Sequence, residues 1–214
     1  MAQRLSCSIL LMAGVSLALA VCPTQANDSR WGDRVGLSIG GSYTAGSMEN
    51  NGMGLPSRTM GVGSLEGLLA YKIFPNWQVG LDLDYSIVRQ LTGLADAGGT
   101  NLKGHEWVLG IGTRYTFNNN WAIQGSVGLF GYHWFDNRTG SSRPDHLTHP
   151  ITVRIKPQWF PFAAIPNLSL DADFRYQHWS TFNVQGTEHD QTTTQFFGGL
   201  GLTYHFGKMK GREE

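Results

Sequence analysis

The sequence predicts an all-β protein, an eight-stranded antiparallel up-and-down transmembrane β-barrel with an N-terminal signal peptide. Three observations lead to this prediction. Eight segments alternate apolar and polar residues, the connections between them alternate short and long, and the first 26 residues have the layout of an export signal. A barrel that crosses a bilayer has this pattern because its strand residues face lipid and interior in turn.

The N-terminus predicts export. Arg4 gives a positive start, residues 9–21 form an apolar run, and Thr24-Gln25-Ala26 offers a small-residue cleavage site. This is the layout of a secretory signal peptide, and the run is too short for a transmembrane helix. We therefore expect residues 1–26 to be cleaved off, with the barrel occupying 27–206 and a short periplasmic tail at 207–214.

The cysteines agree with export and leave one alternative open. Cys7 and Cys22 both precede the predicted cut, so the mature chain has no thiol for a disulfide, a zinc site or a nucleophile. A lipoprotein anchored through Cys22 is the alternative, although Val21 is bulky for the residue before a lipidated cysteine.

Composition argues against several classes of protein. Beyond the signal, no stretch approaches the ~18 consecutive apolar residues of a membrane helix. The formal net charge is zero, which gives no indication of nucleic-acid binding. The sequence contains no phosphate loop and no cofactor fingerprint, so we expect no cofactor.

The alternation is clearest between Trp77 and Ile87. Odd positions carry Trp, Val, Leu, Leu, Tyr and Ile, whereas even positions carry Gln, Gly, Asp, Asp and Ser. In a strand these two sets point to opposite faces, while a helix would mix Asp82 and Asp84 into the apolar stripe. Seven more segments share the pattern, with these apolar members: Val35, Leu37, Ile39 and Tyr43; Leu65, Leu69, Tyr71 and Ile73; Trp107, Leu109, Ile111, Tyr115 and Phe117; Trp121, Ile123, Val127 and Leu129; Ile151, Val153, Ile155 and Trp159; Leu168, Leu170, Phe174 and Tyr176; Phe196, Leu200, Leu202, Tyr204 and Phe206.

The connections predict the topology. Residues 74–76, 118–120 and 161–167 are short or marked by Pro and Asn, whereas 45–58, 89–103, 136–146 and 181–193 are longer and polar. Outer-membrane barrels have short periplasmic turns, long external loops and an even number of strands. We therefore expect an integral protein of the Gram-negative outer membrane with periplasmic termini and four external loops.

Aromatic residues are expected to form two belts where the barrel meets the two membrane interfaces. One set lies near the short turns: Phe74, Trp77, Phe117, Trp121, Trp159, Phe160 and Phe206. The other lies near the long loops: Tyr43, Trp107, Trp134, Phe135 and Trp179. A soluble barrel with its apolar face inward is the alternative, but it does not explain the belts.

An apolar wall facing lipid requires a polar interior. Eight strands make a barrel just wide enough for side chains to fill. Buried charges are tolerated only when paired, so we expect a filled, charge-balanced lumen rather than an open pore. The predicted lumen network has six cations and six carboxylates: Arg34, Glu66, Lys72, Asp82, Asp84, Glu106, Arg114, Arg154, Lys156, Asp171, Asp173 and Arg175.

The last two strands resemble those of small opacity-type, OmpA-like outer-membrane barrels. The segments that carry the resemblance are 166–171 with 174–176, and Gly199 to Phe206. The final Tyr-His-Phe is similar to the signal read by the outer-membrane assembly machinery, which the resemblance implies as a partner. Members of this group serve as structural anchors, adhesins or immune-evasion surfaces. The resemblance therefore implies contact with lipopolysaccharide and with a host or surface ligand at the external loops.

One constellation predicts chemistry. His178 and Ser180 lie two apart and share the lipid face, and this His-x-Ser resembles the outer-membrane lipid A 3-O-deacylases. In that hypothesis His178 activates the Ser180 hydroxyl for acyl transfer, and Glu188 or Asp190 orients the histidine. The interpretation favoured by the residues is that His178 belongs to the aromatic belt, which makes the protein a non-enzymatic barrel.

A second polar cluster lies on neighbouring loops. It comprises Asp145, His146, His149, Glu188, His189 and Asp190. Such residues can bind zinc, but their spacing matches no specific motif. Ordinary loop polarity is therefore the favoured interpretation, and no metal site is predicted.

Overall fold

The computed structural model describes residues 35–51, 58–92, 103–118, 120–135, 146–184, 187–189 and 192–206. These residues form nine strands, eight of them long. Their bounds are β1 (Val35–Asn51), β2 (Arg58–Phe74), β3 (Trp77–Thr92), β4 (Lys103–Thr116), β5 (Trp121–Phe135), β6 (His146–Trp159), β7 (Leu168–Val184), β8 (Thr187–His189) and β9 (Thr192–Phe206). In the described part of the chain, no helix is long and apolar enough to cross a bilayer.

The eight long strands close into a barrel. Each of β1 to β5 pairs with the next strand in antiparallel register, β6 pairs with β7, and β7 pairs with β9. The ring closes between β1 and β9, from Leu37 opposite Phe206 to Asn51 opposite Thr192. The short β8 pairs only with the far end of β7. The predicted eight-stranded antiparallel barrel is confirmed.

Alternation places the apolar residues on the outside of the barrel. Along β3, Leu81, Leu83 and Ile87 are each more than half exposed, whereas Asp82 and Asp84 are buried. Large exposed apolar side chains recur on the outward face of every long strand. A monomeric soluble protein rarely exposes so continuous an apolar surface, and a wall that faces lipid requires it.

The barrel has two distinct ends. At one end, here called the short-turn end, Asn118 closes the β4–β5 turn: its side-chain oxygen accepts the backbone N–H groups of Asn120 and Trp121 at 2.8 and 3.0 Å. The opposite end, here called the loop end, carries the connections at 52–57, 93–102, 136–145 and 185–191. Val35 and Phe206, the first and last residues that the structure describes, both lie at the short-turn end.

The strands extend further into the predicted loops than the sequence indicates. β1 continues to Asn51, β3 to Thr92 and β7 to Val184, and β8 lies wholly inside the predicted loop 181–193. Polar residues do not prevent pairing, because strand propensity depends on cross-strand neighbours as well as on residue type. The loops predicted from polarity at 45–58, 89–103 and 181–193 therefore begin too early in the sequence.

A β-bulge in β5 changes the face that follows it. Gly110 pairs with Gly128 but Leu109 pairs with Phe130, which leaves Leu129 as the extra residue. Leu129 and Phe130 both point outward, and from there the alternation is reversed, so that His133 is buried. A bulge inserts one unpaired residue and so switches the inward positions by one.

Candidate functional site

The charged centre of the interior is Arg154 on β6, which is 3% exposed. Its Nε donates to Asp173 at 2.7 Å, and its Nη1 lies 2.7 Å from oxygens of both Glu66 and Asp84. Nη2 donates to Glu66 at 3.0 Å and also contacts Asp173. One guanidinium therefore joins carboxylates from β2, β3 and β7, using the several donors of its planar fork.

Toward the loop end, Arg175 continues this network. Its Nη2 lies 2.5 Å from Asp84, which accepts from Arg154 as well. Its Nη1 lies 3.5 Å from Glu106, which also accepts from Gln177 at 2.6 Å. Arg154 and Arg175 face each other directly across β6 and β7. Like charges in that position repel, and the carboxylate of Asp84 bridges them.

Toward the short-turn end, Lys156 and Asp171 extend the network. The Lys156 ammonium lies 3.0 Å from both Glu66 and Asp171. Asp171 accepts from the Ser169 hydroxyl at 2.6 Å, and that hydroxyl lies 3.2 Å from His205. His205 in turn contacts Arg114, whose other nitrogen donates to Gln78. Polar contacts therefore run without a gap along most of the interior.

The structure places ten of the twelve predicted lumen residues inside the barrel as buried side chains. Lys72 is half-buried near the short-turn end, and Arg34 lies outside the described residues. Arg58, which is not one of the twelve predicted lumen residues, is also buried. Within the described residues the interior thus holds five buried cations against six carboxylates, together with His133 and His205.

The interior is not polar along its whole length. Near the loop end, eight buried apolar side chains form one cluster, here called the apolar plug: Met48, Met60, Val62, Val88, Val108, Leu147, Trp179 and Phe197. Trp179 is fully buried and packs edge-on against His133, with 5.8 Å between ring centroids. The plug lies on the loop side of Arg154, and its members come from seven of the eight long strands.

Two aromatic residues assigned to the belts point inward instead. Trp179 shares its face with Gln177 and Arg175, which its odd position on β7 requires. Phe160 is 5% exposed and packs on His205, with 5.3 Å between ring centroids, so it covers the short-turn end of the interior. The belt assignment of both was wrong, because it rested on the height of each residue along the barrel and not on the face that it occupies.

The other predicted belt residues face outward wherever the structure describes their side chains, and the side chain of Phe135 is not among those described. Near the short turns, Trp121 and Trp159 stack across β5 and β6 with 6.0 Å between centroids. Near the loop end, His105 stacks on Trp134 at 5.3 Å and contacts the Tyr85 hydroxyl at 2.9 Å. The aromatic belt near the loop end, here called the upper belt, therefore includes His105 as well as Tyr, Trp and Phe residues.

The predicted catalytic residues lie partly together. His178 and Ser180 share the outward face of β7, and the hydrogen bond of His178 goes to the Thr194 hydroxyl at 3.4 Å. The backbone of Glu188 pairs with Asn183, five positions along β7 from His178. At ~3.3 Å per residue that is about 17 Å, so the pairing does not bring Glu188 to His178. Asp190 and Asp145 lie outside the described residues, and the described part of the chain contains no group of three His, Cys, Asp or Glu side chains that could hold a metal ion.

Sequence reasoning missed His133 and the plug for different reasons. The bulge hides His133, since unbroken alternation from Trp121 points it outward. The plug members Val62, Val88 and Val108 occupy inward positions that a polar-interior model passes over. Their even numbering, shared with Glu66, Asp84 and Glu106 on the same strands, was the available signal.

Comparison with known proteins agrees with the architecture. A family model described as "Outer membrane protein beta-barrel domain" matches residues 70–209. One similar solved structure is that of Ail, the attachment invasion locus protein of Yersinia pestis, in complex with the heparin analogue sucrose octasulfate. Ail is 18% identical to this chain, and the alignment covers 81% of this chain and 100% of the Ail chain, with a TM-score of 0.50. Neisserial surface protein A is 15% identical over 79% of this chain and 97% of its own, with a TM-score of 0.53. No curated protein sequence matches the chain. At these identities the two structures are similar to this chain in fold.

Proposed function

Because the chain belongs to the outer membrane protein β-barrel domain family, we propose that it is a non-enzymatic envelope protein, a closed barrel that presents external loops for contact with surface or host ligands. It is an integral outer-membrane barrel of the Gram-negative cell envelope. The proposal concerns what such a barrel does there. The proposed arrangement has a filled lumen, a loop end that faces the cell exterior, and termini in the periplasm.

The observation that carries the proposal is the filled interior. Arg154 joins carboxylates from three strands, and the apolar plug lies above it. A path for solutes would need these contacts to break and would leave charges buried without partners, which costs several kcal/mol. We infer that the barrel is a scaffold rather than a channel, and that its interactions take place on its loops and outer wall.

The arrangement of the ends supports the orientation. Short turns and both outermost described residues lie at one end, and the longer connections lie at the other. In outer-membrane barrels the short turns are periplasmic. The loops at 52–57, 93–102, 136–145 and 185–191 would then contact lipopolysaccharide or a host surface, while the closing strand β9 would be read by the assembly machinery.

Three measurements test the proposal. An epitope inserted within 136–145 should be accessible to antibody on intact cells, whereas one added after the C-terminal Glu214 should need permeabilised cells. Purified barrel in planar bilayers should give no steady large conductance. Replacing 136–145 by a two-residue turn should abolish surface binding while heat-modifiable gel mobility is kept. Steady conductance, or binding that survives the loss of every long loop, would contradict the proposal.

A second candidate function is lipid A acyl-ester hydrolysis on the outer wall. One observation favours it: His178 and Ser180 are on the outward face, as attack on a lipid ester requires. The test is mass spectrometry of lipid A from cells with and without the protein. Loss of one hydroxyacyl chain that the Ser180→Ala variant abolishes would establish the hydrolase. Unchanged lipid A would assign His178 to the upper belt.

A further inference from the structure

The outer wall carries a pair of cations at the loop end of β3 and β4. Arg89 and Lys103 face each other directly in the antiparallel register, and both side chains are exposed on the lipid-facing side. Like charges in this position repel. Among the described residues neither side chain has a salt-bridge partner, in contrast to Arg154 and Arg175, which Asp84 bridges inside the barrel. The pair is therefore complementary to an anion outside the protein.

The height of the pair indicates where that anion lies. Trp77 and Tyr115 face each other at the height of the aromatic belt near the short turns. Arg89 and Lys103 are twelve positions further along the same two strands, toward the loop end. With a rise of ~3.3 Å per residue and a tilt of ~40°, the vertical distance is about 30 Å. The apolar band of such barrels is ~25 Å tall, so the pair lies at headgroup level.

An apolar groove lies on the wall below the pair. It has a volume of about 650 Å³ and includes Tyr43, Leu65, Tyr85, Ile87 and Leu200 in its lining, with Gly41 and Gly63 among the residues of its base. A Cβ atom added to Gly63 would meet no atom within 4 Å, which shows that the base is open there. Ile87 lies two positions below Arg89 on the same face of β3, so the groove begins where the cation pair ends.

A polar rim joins the two features. Gly61 pairs with Arg89, and a Cβ atom at Gly61 would come within 2.5 Å of the Tyr43 hydroxyl. That hydroxyl therefore lies over Gly61, at the top of the groove and beside Arg89. His105 lies two positions from Lys103 toward the short-turn end of β4, on the same face, and contacts the Tyr85 hydroxyl at 2.9 Å.

We propose that Arg89, Lys103 and this groove form a binding site for one phosphorylated glycolipid of the outer leaflet, a lipid A molecule. Its phosphate would lie between the guanidinium and the ammonium, since Arg and Lys are the side chains that bind phosphate. One acyl chain would lie in the groove over Gly63. The inference rests on the proposed orientation only for the choice of the outer leaflet. The class of ligand follows from the charge of the cation pair, its height on the wall and the shape of the groove.

The experiment is a titration of the purified barrel in detergent micelles with hexa-acylated, bisphosphorylated lipid A, read by native mass spectrometry as the fraction carrying one lipid. Two variants attack the site independently: Arg89→Gln with Lys103→Gln removes the charge, and Gly63→Leu fills the groove. We expect the double variant to weaken the apparent Kd by about 10- to 30-fold, because each cation near an anionic lipid contributes about fivefold. We expect Gly63→Leu to weaken it as well.

Matched controls separate the site from general effects. Arg89→Lys with Lys103→Arg keeps both charges and should bind nearly as the wild type does. Gly125→Leu places the same side chain at an outward glycine of β5, whose added Cβ would make only ordinary contacts, and should not alter binding. Heat-modifiable mobility confirms that each variant is folded.

Each outcome decides the matter. An unchanged Kd in both the charge-removing and the groove-filling variants would overturn the site. Tighter binding of phosphatidylglycerol than of lipid A would overturn the assignment to the outer-leaflet glycolipid. Because the titration uses purified protein, its failure is distinguishable from failure of the proposed orientation, which the epitope on intact cells reports.

Discussion

Arg154 on β6 and Glu66 on β2 form an ion pair across the full width of the barrel, with 2.7 Å between Nη1 and Oε2. Their strands are four places apart in either direction round the ring, so no two strands lie further from each other. Lys156, also on β6, reaches Glu66 at 3.0 Å. Opposite walls are thus connected through the interior as well as round the sheet.

Replacing Arg154 by methionine should strongly destabilise the barrel. Glu66, Asp84 and Asp173 would remain buried without their shared cation, and breaking a buried ion pair on one side costs about 3–5 kcal/mol. Urea unfolding of the barrel in lipid vesicles measures the loss. Arg154→Lys keeps the charge but not the fork, so it should cost less. A loss below about 1 kcal/mol for Arg154→Met would show that the network does not stabilise the fold.

Trp179→Ala should destabilise more than Trp107→Ala. Trp179 is fully buried in the apolar plug, whereas Trp107 is 39% exposed on the outer wall. Removing a buried tryptophan costs about 3–5 kcal/mol, because transfer free energy is lost and a cavity remains. The same vesicle unfolding measures both variants. Equal losses would mean that the plug is not packed as described.

Gly80→Ala should impair the barrel, whereas Gly63→Ala should be tolerated. A Cβ atom at Gly80 would lie 1.9 Å from the backbone oxygen of Leu69, so strands β2 and β3 would have to move apart. At Gly63 the added atom would meet nothing within 4 Å. Overpacking costs about 1–3 kcal/mol. The yield of heat-modifiable barrel and its unfolding midpoint compare the two variants, and similar values would contradict the prediction.

Deleting Leu129 should be tolerated, whereas inserting one alanine after Gly131 should prevent correct assembly. The deletion removes the extra residue of the bulge, and plain alternation from Gly128 then keeps His133 inward. The insertion adds a residue beyond the bulge, so His133 would turn toward lipid, because a one-residue change of register exchanges the two faces of a strand. Protease resistance of the membrane-inserted protein compares the two variants. A fully protected insertion variant, or a deletion variant that protease degrades, would contradict this role of the bulge.

The period-two pattern sufficed to predict the strands and their inward carboxylates, because alternation is a property of the local chain. Asp82, Asp84, Glu106 and Asp171 are buried on the face that alternation assigns them. The bulge at Leu129 was not predictable in this way, since a strand with an extra outward apolar residue still reads as a strand. Nor could alternation show that Val62 and Trp179 fill the interior, because an apolar residue suits lipid and a packed core equally well.

The site on the outer wall was missed for a related reason. Arg89 and Lys103 lay at the edges of a predicted loop, where charges are ordinary. Only the pairing of β3 with β4 shows that the two face each other. Register between strands depends on contacts distant in sequence, and single-strand patterns do not contain it.

The interior network also bears on how the chain becomes a barrel. Ser42, Thr203 and His205, from the first and last strands, contact Asp173, Asp171 and Arg114. Before β9 docks, those groups would face an open, hydrated seam, and water would satisfy them. Docking of β9 would therefore expel that water and complete these hydrogen bonds in a single event, which would make insertion of the finished barrel cooperative. The interior of a nascent chain that lacks its final strand would therefore remain hydrated. Hydration of the interior would distinguish this chain from the mature barrel.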